Sequence, residues 1–355
     1  MQKRSFVRTR VRKVTQPHEV QQPNVTRTRS QNDDLTLQQA LTIFIRAKEA
    51  ENVRPGTIRN YINHIRYLSD YMTEVRGLPG AYLRDLTPDL IRDYINYMRK
   101  EKVRYENVEG RRDKRIGLSV DTINIRLRTL RTMCRFWHDE GYLPSNPMAN
   151  IKPLRKDEDD EVPGLTDAEI DLLLASYDDS QFADWRDKVL ILLMLDTGLR
   201  PTEACELTID RVDFERLVLY VPSQVAKNRR NREVPISPEI ANLLKELYEE
   251  SLMYFGETEF VFNNAYGEPF TAEAFRKRLN RRKKKLGFKR LSPNMFRHTF
   301  CRKYLLNGGD IFTLQKIVDH ADIKTTRKYV QMELDDIQMQ HNRYSPARRI
   351  LKRRK

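Results

Sequence analysis

No apolar run in this chain approaches the roughly 18–20 residues that a membrane-spanning helix needs. Its opening segment, MQKRSFVRTRVRK, is basic but has none of the apolar stretch of a secretory signal. These absences argue against a helical membrane protein and against export, and predict a cytosolic or nucleoid location. Cysteine is scarce as well: Cys134, Cys205 and Cys301 are an odd number, far apart, each in a segment with helical patterning. That excludes a disulfide framework and predicts buried, reduced thiols. No His, Cys, Asp or Glu recurs at metal-ligand spacing, and His298 with Cys301 reads as packing, so neither a metal nor a cofactor is expected. Internal repeats and low-complexity blocks are absent too.

Acidic residues are missing from particular places. The chain carries 65 Lys and Arg against 50 Asp and Glu, a net charge of +15. In the first thirty residues Lys3, Arg4, Arg8, Arg10, Arg12, Lys13, Arg27 and Arg29 meet one acid, Glu19, and the block from Arg276 to Arg290 contains none. The chain closes on Arg348, Arg349, Lys352, Arg353, Arg354 and Lys355. Each phosphate neutralised by such groups releases counterions, so nucleic acid is the favoured partner.

Residues 1–33 lack hydrophobic periodicity and read as a flexible basic arm. Helical patterning begins at Thr36, whose capping-box partner is Gln39, and continues with Leu37, Leu41, Phe44 and Ala47. A second helix places Ile58, Ile62, Ile65, Leu68 and Met72 on one face. A third starts at Thr87-Pro88 and buries Ile91, Ile95 and Met98. After a charged connection at about 100–118, a fourth runs from about Val120 to Glu140, with Ile123, Leu127, Leu130, Cys134 and Trp137 inward. Arg128, Arg131 and Arg135 make a basic stripe on its other side. These helices form a first domain, 34–150. The charged segment 151–163 reads as a linker. Beyond it Thr166 and Glu169 form another capping box, and Trp185–Leu195 is apolar enough for a core helix. Leu217–Val221 and Arg232–Ile236 read as strands joined by the turn KNRRN, with Phe260-Val261-Phe262 as a third. A mostly helical second domain, 164–332, with a small antiparallel sheet follows, then a tail, 333–355.

Cleaving a phosphodiester without a metal requires a nucleophile, cations or hydrogen-bond donors around the non-bridging oxygens, and a proton donor for the leaving 5′ oxygen. Candidates for these parts fall in three clusters. The first is Asp196-Thr-Gly-Leu-Arg200-Pro-Thr-Glu203, where Gly198 ends the buried helix and Arg200 follows it. The second is Lys227, seven residues before Val234-Pro235-Ile236. The third is Ser292-Pro-Asn294-Met-Phe-Arg297-His298, followed by Leu314-Gln-Lys-Ile-Val-Asp-His320 and, nine residues on, Tyr329. Alone, an Arg after a helix-ending Gly is a common cap, and a Lys in a hairpin turn is commonly just solvated. Five such features in order are far more specific.

In these motifs the chain resembles the tyrosine recombinase family (phage integrases, lambda-integrase and Xer-like) over about residues 35–330. The resemblance implies a mainly α fold with a small antiparallel β-sheet, in two domains closing as a C-shaped clamp. An α-helical, SAM-like core-binding domain precedes an α+β catalytic domain. It further implies a site-specific recombinase or integrase that cleaves and rejoins DNA through a covalent 3′-phosphotyrosine and integrates or excises a mobile element. Arg200 and Arg297 would clamp the scissile phosphate, His320 would donate to it, Lys227 would protonate the leaving oxygen, and Tyr329 would attack. Glu203 would support Arg200. One position departs: the family's His-x-x-Arg begins here with Asn294, which can donate a hydrogen bond but cannot take a proton. His298, about 100° around the helix from Arg297, is expected to lie off the site.

The implied partners are double-stranded DNA carrying a specific recombination site, a homotetramer on synapsed DNA with the tail exchanged between subunits, and accessory proteins. No membrane is involved, and the location is cytoplasmic and nucleoid-associated. Arg128, Arg131, Arg135, Arg281, Lys283 and Lys284 are the expected DNA-binding side chains. Two alternatives stand beside this reading. A catalytically inactive DNA-binding regulator would explain Asn294, and a type IB topoisomerase would share the chemistry without the strand exchange.

Overall fold

The structure, a computed structural model, describes residues 35–78, 80–104, 114–156, 164–327, 329, 338 and 341–347. The basic arm, 1–33, residues 157–163 of the linker and most of the 333–355 tail lie outside the described residues. What is described falls into two compact units that divide near residue 158.

The first unit consists of α1 (Leu37–Ala50), α2 (Pro55–Asp70), α3 (Pro88–Lys100) and α4 (Val120–Asp139). Local chemistry starts each of three of them. Thr36 and Gln39 close a reciprocal capping box on α1, Thr87 caps α3 ahead of Pro88, and Ser119 caps α4. Leu41, Phe44, Ile91, Met98, Ile123, Leu127 and Trp137 meet in one core, and the Trp137 indole N–H donates to the Ala40 carbonyl at 3.0 Å, tying α4 to α1. The second helix departs from its expected face. Ile62 is exposed at 42%, and Tyr61 takes the inward position, its ring meeting Phe44 edge-on at 4.9 Å. Neighbouring helix positions are about 100° apart, so the stripe that packs runs Tyr61, Ile65, Leu68 and into Met72. Met72 lies in a π-helical turn, Tyr71–Val75, that extends α2.

The second unit begins with α5 (Asp167–Ala175), opened by the Thr166–Glu169 capping box, and α6 (Phe182–Thr197). After α7 (Pro201–Cys205) come β1 (Val212–Asp213), β2 (Val218–Val221) and β3 (Arg232–Pro235), an antiparallel sheet in that order with Leu219 opposite both Val212 and Val234. The remainder is α8 (Pro238–Phe255), α9 (Ala272–Leu286), α10 (Pro293–Leu306), α11 (Ile311–Val318) and α12 (Ile323–Arg327). The third strand is therefore β1, not Phe260-Val261-Phe262. That run makes only an isolated bridge from Phe260 to Thr208, while Val261 and Phe262 drop their side chains into the core. A three-residue apolar run has no alternation to distinguish a strand from a buried loop.

Helix α6 is the spine of this unit, with Val189, Leu190, Ile191, Leu193 and Met194 all fully buried. It packs against α8 and α10. It ends at Gly198, whose φ of 64° is left-handed, and a Cβ there would stand 2.3 Å from Cδ1 of Phe300 in α10. Gly198→Ala is therefore both strained and overpacked, each effect costing roughly 1–3 kcal/mol. Thermal unfolding should show the variant melting lower, by about 2–4 °C per kcal/mol for a unit of this size. An unchanged melting temperature would remove Gly198 as the reason α6 stops where it does.

The basic block 276–290 is only partly free. Arg278 pairs with both Asp184 and Asp187, Arg282 pairs with Asp184 at 2.7 Å, and Arg276 and Lys277 pair with Glu273. Buried Arg186 completes the inner network through Asp187 at 2.6 Å. These acids come from outside the block, which is why the block looks uniformly basic in sequence. Among the described residues no helix is long and apolar enough to cross a membrane.

Candidate active site

The turn that Gly198 makes places Arg200 at the N-terminal boundary of α7. Glu203, one turn later, accepts from the Arg200 backbone N–H at 3.0 Å and from its Nη1 at 2.9 Å. The same carboxylate accepts from Arg232 of β3, at 2.6 Å from Nη2 and 3.3 Å from Nη1. Glu203 is buried, which by itself raises a carboxyl pKa, but the hydrogen bonds from Arg232 and Arg200 outweigh that and hold it below its ordinary value. One buried anion thus orients two guanidiniums.

Arg297, from the first turns of α10, is 5% exposed and lies where two helices end. Its Nη1 donates to the Gly198 carbonyl at 2.7 Å, at the end of α6, and its Nη2 to the Val318 carbonyl at 2.6 Å, at the end of α11. Helix C-termini present unpaired carbonyls and a partial negative charge, so a cation is held firmly there. Burial and the nearby Arg200 lower the Arg297 pKa to about 10, which leaves it charged at neutral pH.

The chain leaves α11 through Asp319, in the left-handed region at φ 52°, a conformation Asp tolerates better than most residues. Its carbonyl accepts from Arg200 Nη2 at 2.9 Å and from the Asn228 side chain at 2.8 Å, and its carboxylate faces Arg200 at 3.4 Å. His320 follows. Its Nδ1 lies 2.9 Å from the hydroxyl of buried Thr326, leaving Nε2 as its other nitrogen. Burial, then Arg297, Arg200 and His298, lower its pKa to about 3, so the ring is neutral.

Tyr329 follows α12 and is buried. Its ring stacks on His320 at 6.1 Å with 14° between the planes. Its hydroxyl lies 2.6 Å from Nδ1 of His298. Burial and Cys301 push its pKa up, against the pull of Arg297, so the phenol stays protonated.

The expectation for His298 is therefore overturned: it lies against the tyrosine hydroxyl. The angle from Arg297 is not the relevant one, because Tyr329 approaches α10 from another side. His298 is four residues from Asn294, hence on nearly the same face one turn along. Asn294 itself is exposed and its side chain makes no hydrogen bond among the described residues. Lys227 stands exposed on the β2–β3 turn, likewise without a hydrogen bond, while its neighbour Asn228 ties the turn to Asp319. Arg232, Asp319, Asn228 and Thr326 were not singled out from sequence. Each acts on a partner distant along the chain or carries no motif of its own, except Asp319, which stands directly before His320.

The expected DNA-binding side chains divide. Arg128, Arg281 and Lys284 are exposed and Lys283 half-buried. Arg135 is exposed and pairs with Asp139. Arg131 donates instead to the Ile151 carbonyl at 2.6 Å, holding down the chain beyond α4. Among the described residues no group of His, Cys, Asp or Glu is arranged to hold a metal ion.

Residues 164–335 match the phage integrase family and residues 40–153 the phage integrase SAM-like domain. A tyrosine recombinase XerD from Lacticaseibacillus casei is 31% identical over 211 residues, 58% of this chain and 70% of its own length. A second, from Listeria monocytogenes, is 27% identical over 294 residues, 80% of this chain and 92% of its own. In structure, the Tn1549 transposon integrase in complex with a circular intermediate DNA aligns with a TM-score of 0.66 at 22% identity, covering 87% of this chain and 99% of that one. A lambda integrase tetramer bound to a Holliday junction aligns with a TM-score of 0.62 at 19% identity, covering 85% and 80%.

Proposed function

The chain belongs to the phage integrase family of tyrosine recombinases, and on that premise we propose that Tyr329 is the nucleophile with which it breaks and rejoins DNA. The observation that carries this reading is the convergence of Arg200, Arg297 and His320 around one buried, protonated tyrosine. In the reaction, the Tyr329 oxygen attacks the scissile phosphorus and the 5′ oxygen leaves, so that a 3′-phosphotyrosine stores the bond for religation without ATP. Arg200 and Arg297 bind the non-bridging oxygens through planar forks suited to phosphate. Neutral His320, its Nδ1 2.9 Å from the Thr326 hydroxyl, donates a hydrogen bond to the same phosphate in the tautomer that carries the proton on Nε2. Lys227 protonates the departing 5′ oxygen, reaching in from its exposed place on the β2–β3 turn.

Duplex binding uses the exposed cations Arg128, Arg135, Arg281 and Lys284, with Lys283 beside them. The 164–332 segment is the catalytic domain and 34–150 the core-binding domain. The protein works as a homotetramer on paired sites, in the cytoplasm at the nucleoid, moving a mobile element. What supports this last point is the likeness of fold to the transposon and phage integrases.

The test uses the full chain and a pool of nicked duplexes with randomised flanks, in which the strand released by cleavage is lost and religation cannot occur. Protein-bound duplexes should survive a denaturing wash because they are covalently held. Duplexes retained only under native conditions would establish a DNA-binding regulator instead.

A further inference from the structure

We propose that His298 is a catalytic residue of this protein, the base that takes the Tyr329 phenolic proton as the tyrosine attacks phosphorus. The proposal rests on the reading of Tyr329 as the nucleophile. Its foundation is geometric. Nδ1 of His298 lies 2.6 Å from the Tyr329 hydroxyl, within the range of a strong hydrogen bond to the reacting atom. The two rings are 5.6 Å apart and tilted by 37°, an arrangement that leaves the tyrosine oxygen directed at the imidazole edge. Position Asn294, where the family's histidine falls, is exposed and cannot accept a proton. The four-residue step from Asn294 to His298 keeps nearly the same helix face and moves one turn deeper along α10.

The surroundings suit the role. His298 is half-buried, and burial followed by the adjacent Arg297 lowers its pKa, so at neutral pH the ring is uncharged and has a lone pair to offer. The groups that face this pair are Arg297 and Cys301 from α10, His320 after α11, and Arg200 beyond His320. The carboxylates of Glu203 and Asp319 lie behind Arg200, which they pair with, and the charge acting on His298 itself is that of Arg297. The phenol cannot ionise unaided, since burial raises its pKa. The step balances: the Tyr329 oxygen forms a bond to phosphorus, its proton moves to Nδ1 of His298, and the phosphorus–5′ oxygen bond breaks with protonation of that oxygen by Lys227. Religation runs the same transfers backwards, and the imidazolium of His298 returns the proton to Tyr329.

The test is single-turnover adduct formation on a nicked duplex captured by the wild-type protein, with native duplex retention and melting temperature measured alongside. His298→Gln keeps a hydrogen-bond acceptor for the tyrosine but cannot carry its proton. His298→Ala opens space that free imidazole can fill. Both variants should form adduct about 10²–10⁴-fold more slowly than wild type, with duplex retention unchanged, and added imidazole should restore part of the rate to the Ala variant in proportion to its free base. If the Ala variant does not fold, the Gln variant alone decides. A Gln variant as fast as wild type, or a folded Ala variant indifferent to imidazole, would overturn the proposal. A wild type that forms no adduct at all would instead defeat the assignment of Tyr329, which separates the two failures.

Discussion

Tyr329→Phe is expected to retain nicked duplex under native conditions and to hold none after denaturation. The substitution removes one oxygen, which in the folded protein sits against His298 and Cys301 and is shielded from water. Losing the hydrogen bond to His298 costs about 1–3 kcal/mol of stability at most. The variant should therefore fold, and it keeps every cation available for phosphate. What it loses is the hydroxyl proposed to form the phosphoester. Tyr304, on α10, and Tyr344, exposed at 55%, lie away from His320 in sequence spacing and are not stacked on it. The expected outcome is loss of adduct to the detection limit with little change in affinity. Covalent retention by the Phe variant would remove Tyr329 from the mechanism.

Arg297 should give the next largest effect. Two of its N–H groups are fixed by the Gly198 and Val318 carbonyls, so its remaining donors are held in one orientation before DNA arrives, which is what makes a donor effective towards developing charge. Removing such a preorganised donor costs about 10²–10³ in rate. Arg297→Ala should lose at least that in single-turnover adduct formation, and Arg297→Lys should recover little, because an ammonium cannot bridge two helix ends and a phosphate at once. Duplex retention should fall far less than cleavage, since many other cations contribute to it. The Ala variant also strands two helix-end carbonyls, so its melting temperature must be measured in parallel. A folded Ala variant within about tenfold of the wild-type rate would show that Arg297 is a structural strut rather than a phosphate ligand.

The parts of this architecture that were legible in the sequence are those whose causes are local. Thr36 with Gln39 and Thr166 with Glu169 announce helix starts because the partners are three residues apart. Gly198 marks the end of α6 because a left-handed turn next to Phe300 leaves no room for a side chain. The arginines, the tyrosine and Glu203 stood out through motif spacing, but the other groups that hold them, Arg232, Asp319, Asn228 and Thr326, did not. Glu203 meets Arg232 across 29 residues and Arg200 meets Asp319 across 119, and no periodicity records such contacts. Tyr61 displaced Ile62 from the core because an amphipathic stripe one residue wider than its seam does not say which edge packs. Arg131 and Arg282 looked like surface cations, yet each has its guanidinium committed, to the Ile151 carbonyl and to Asp184. His298 was missed for a simpler reason. Its direction was reckoned from Arg297, whereas its partner comes from a segment 31 residues further on.

The position of His298 also bears on the regulator reading. Asn294 was its support, because a site without a proton acceptor can be a retired one. With an imidazole at 2.6 Å from the tyrosine hydroxyl, the acceptor is present in another place, and the pattern break at Asn294 no longer implies lost activity.

The most direct measurement is to identify the residue and the DNA end that are joined. The wild-type adduct on a nicked duplex is digested with nuclease and trypsin and its peptides are sequenced by mass spectrometry. Cleavage after Lys328 and Arg343 isolates Tyr329 on the peptide 329–343, whereas Tyr304 and Tyr344 fall on different peptides. The expected product is a nucleotide attached through its 3′-phosphate to Tyr329 and to no other residue. A nucleotide on another peptide, or attachment through a 5′-phosphate, would contradict it.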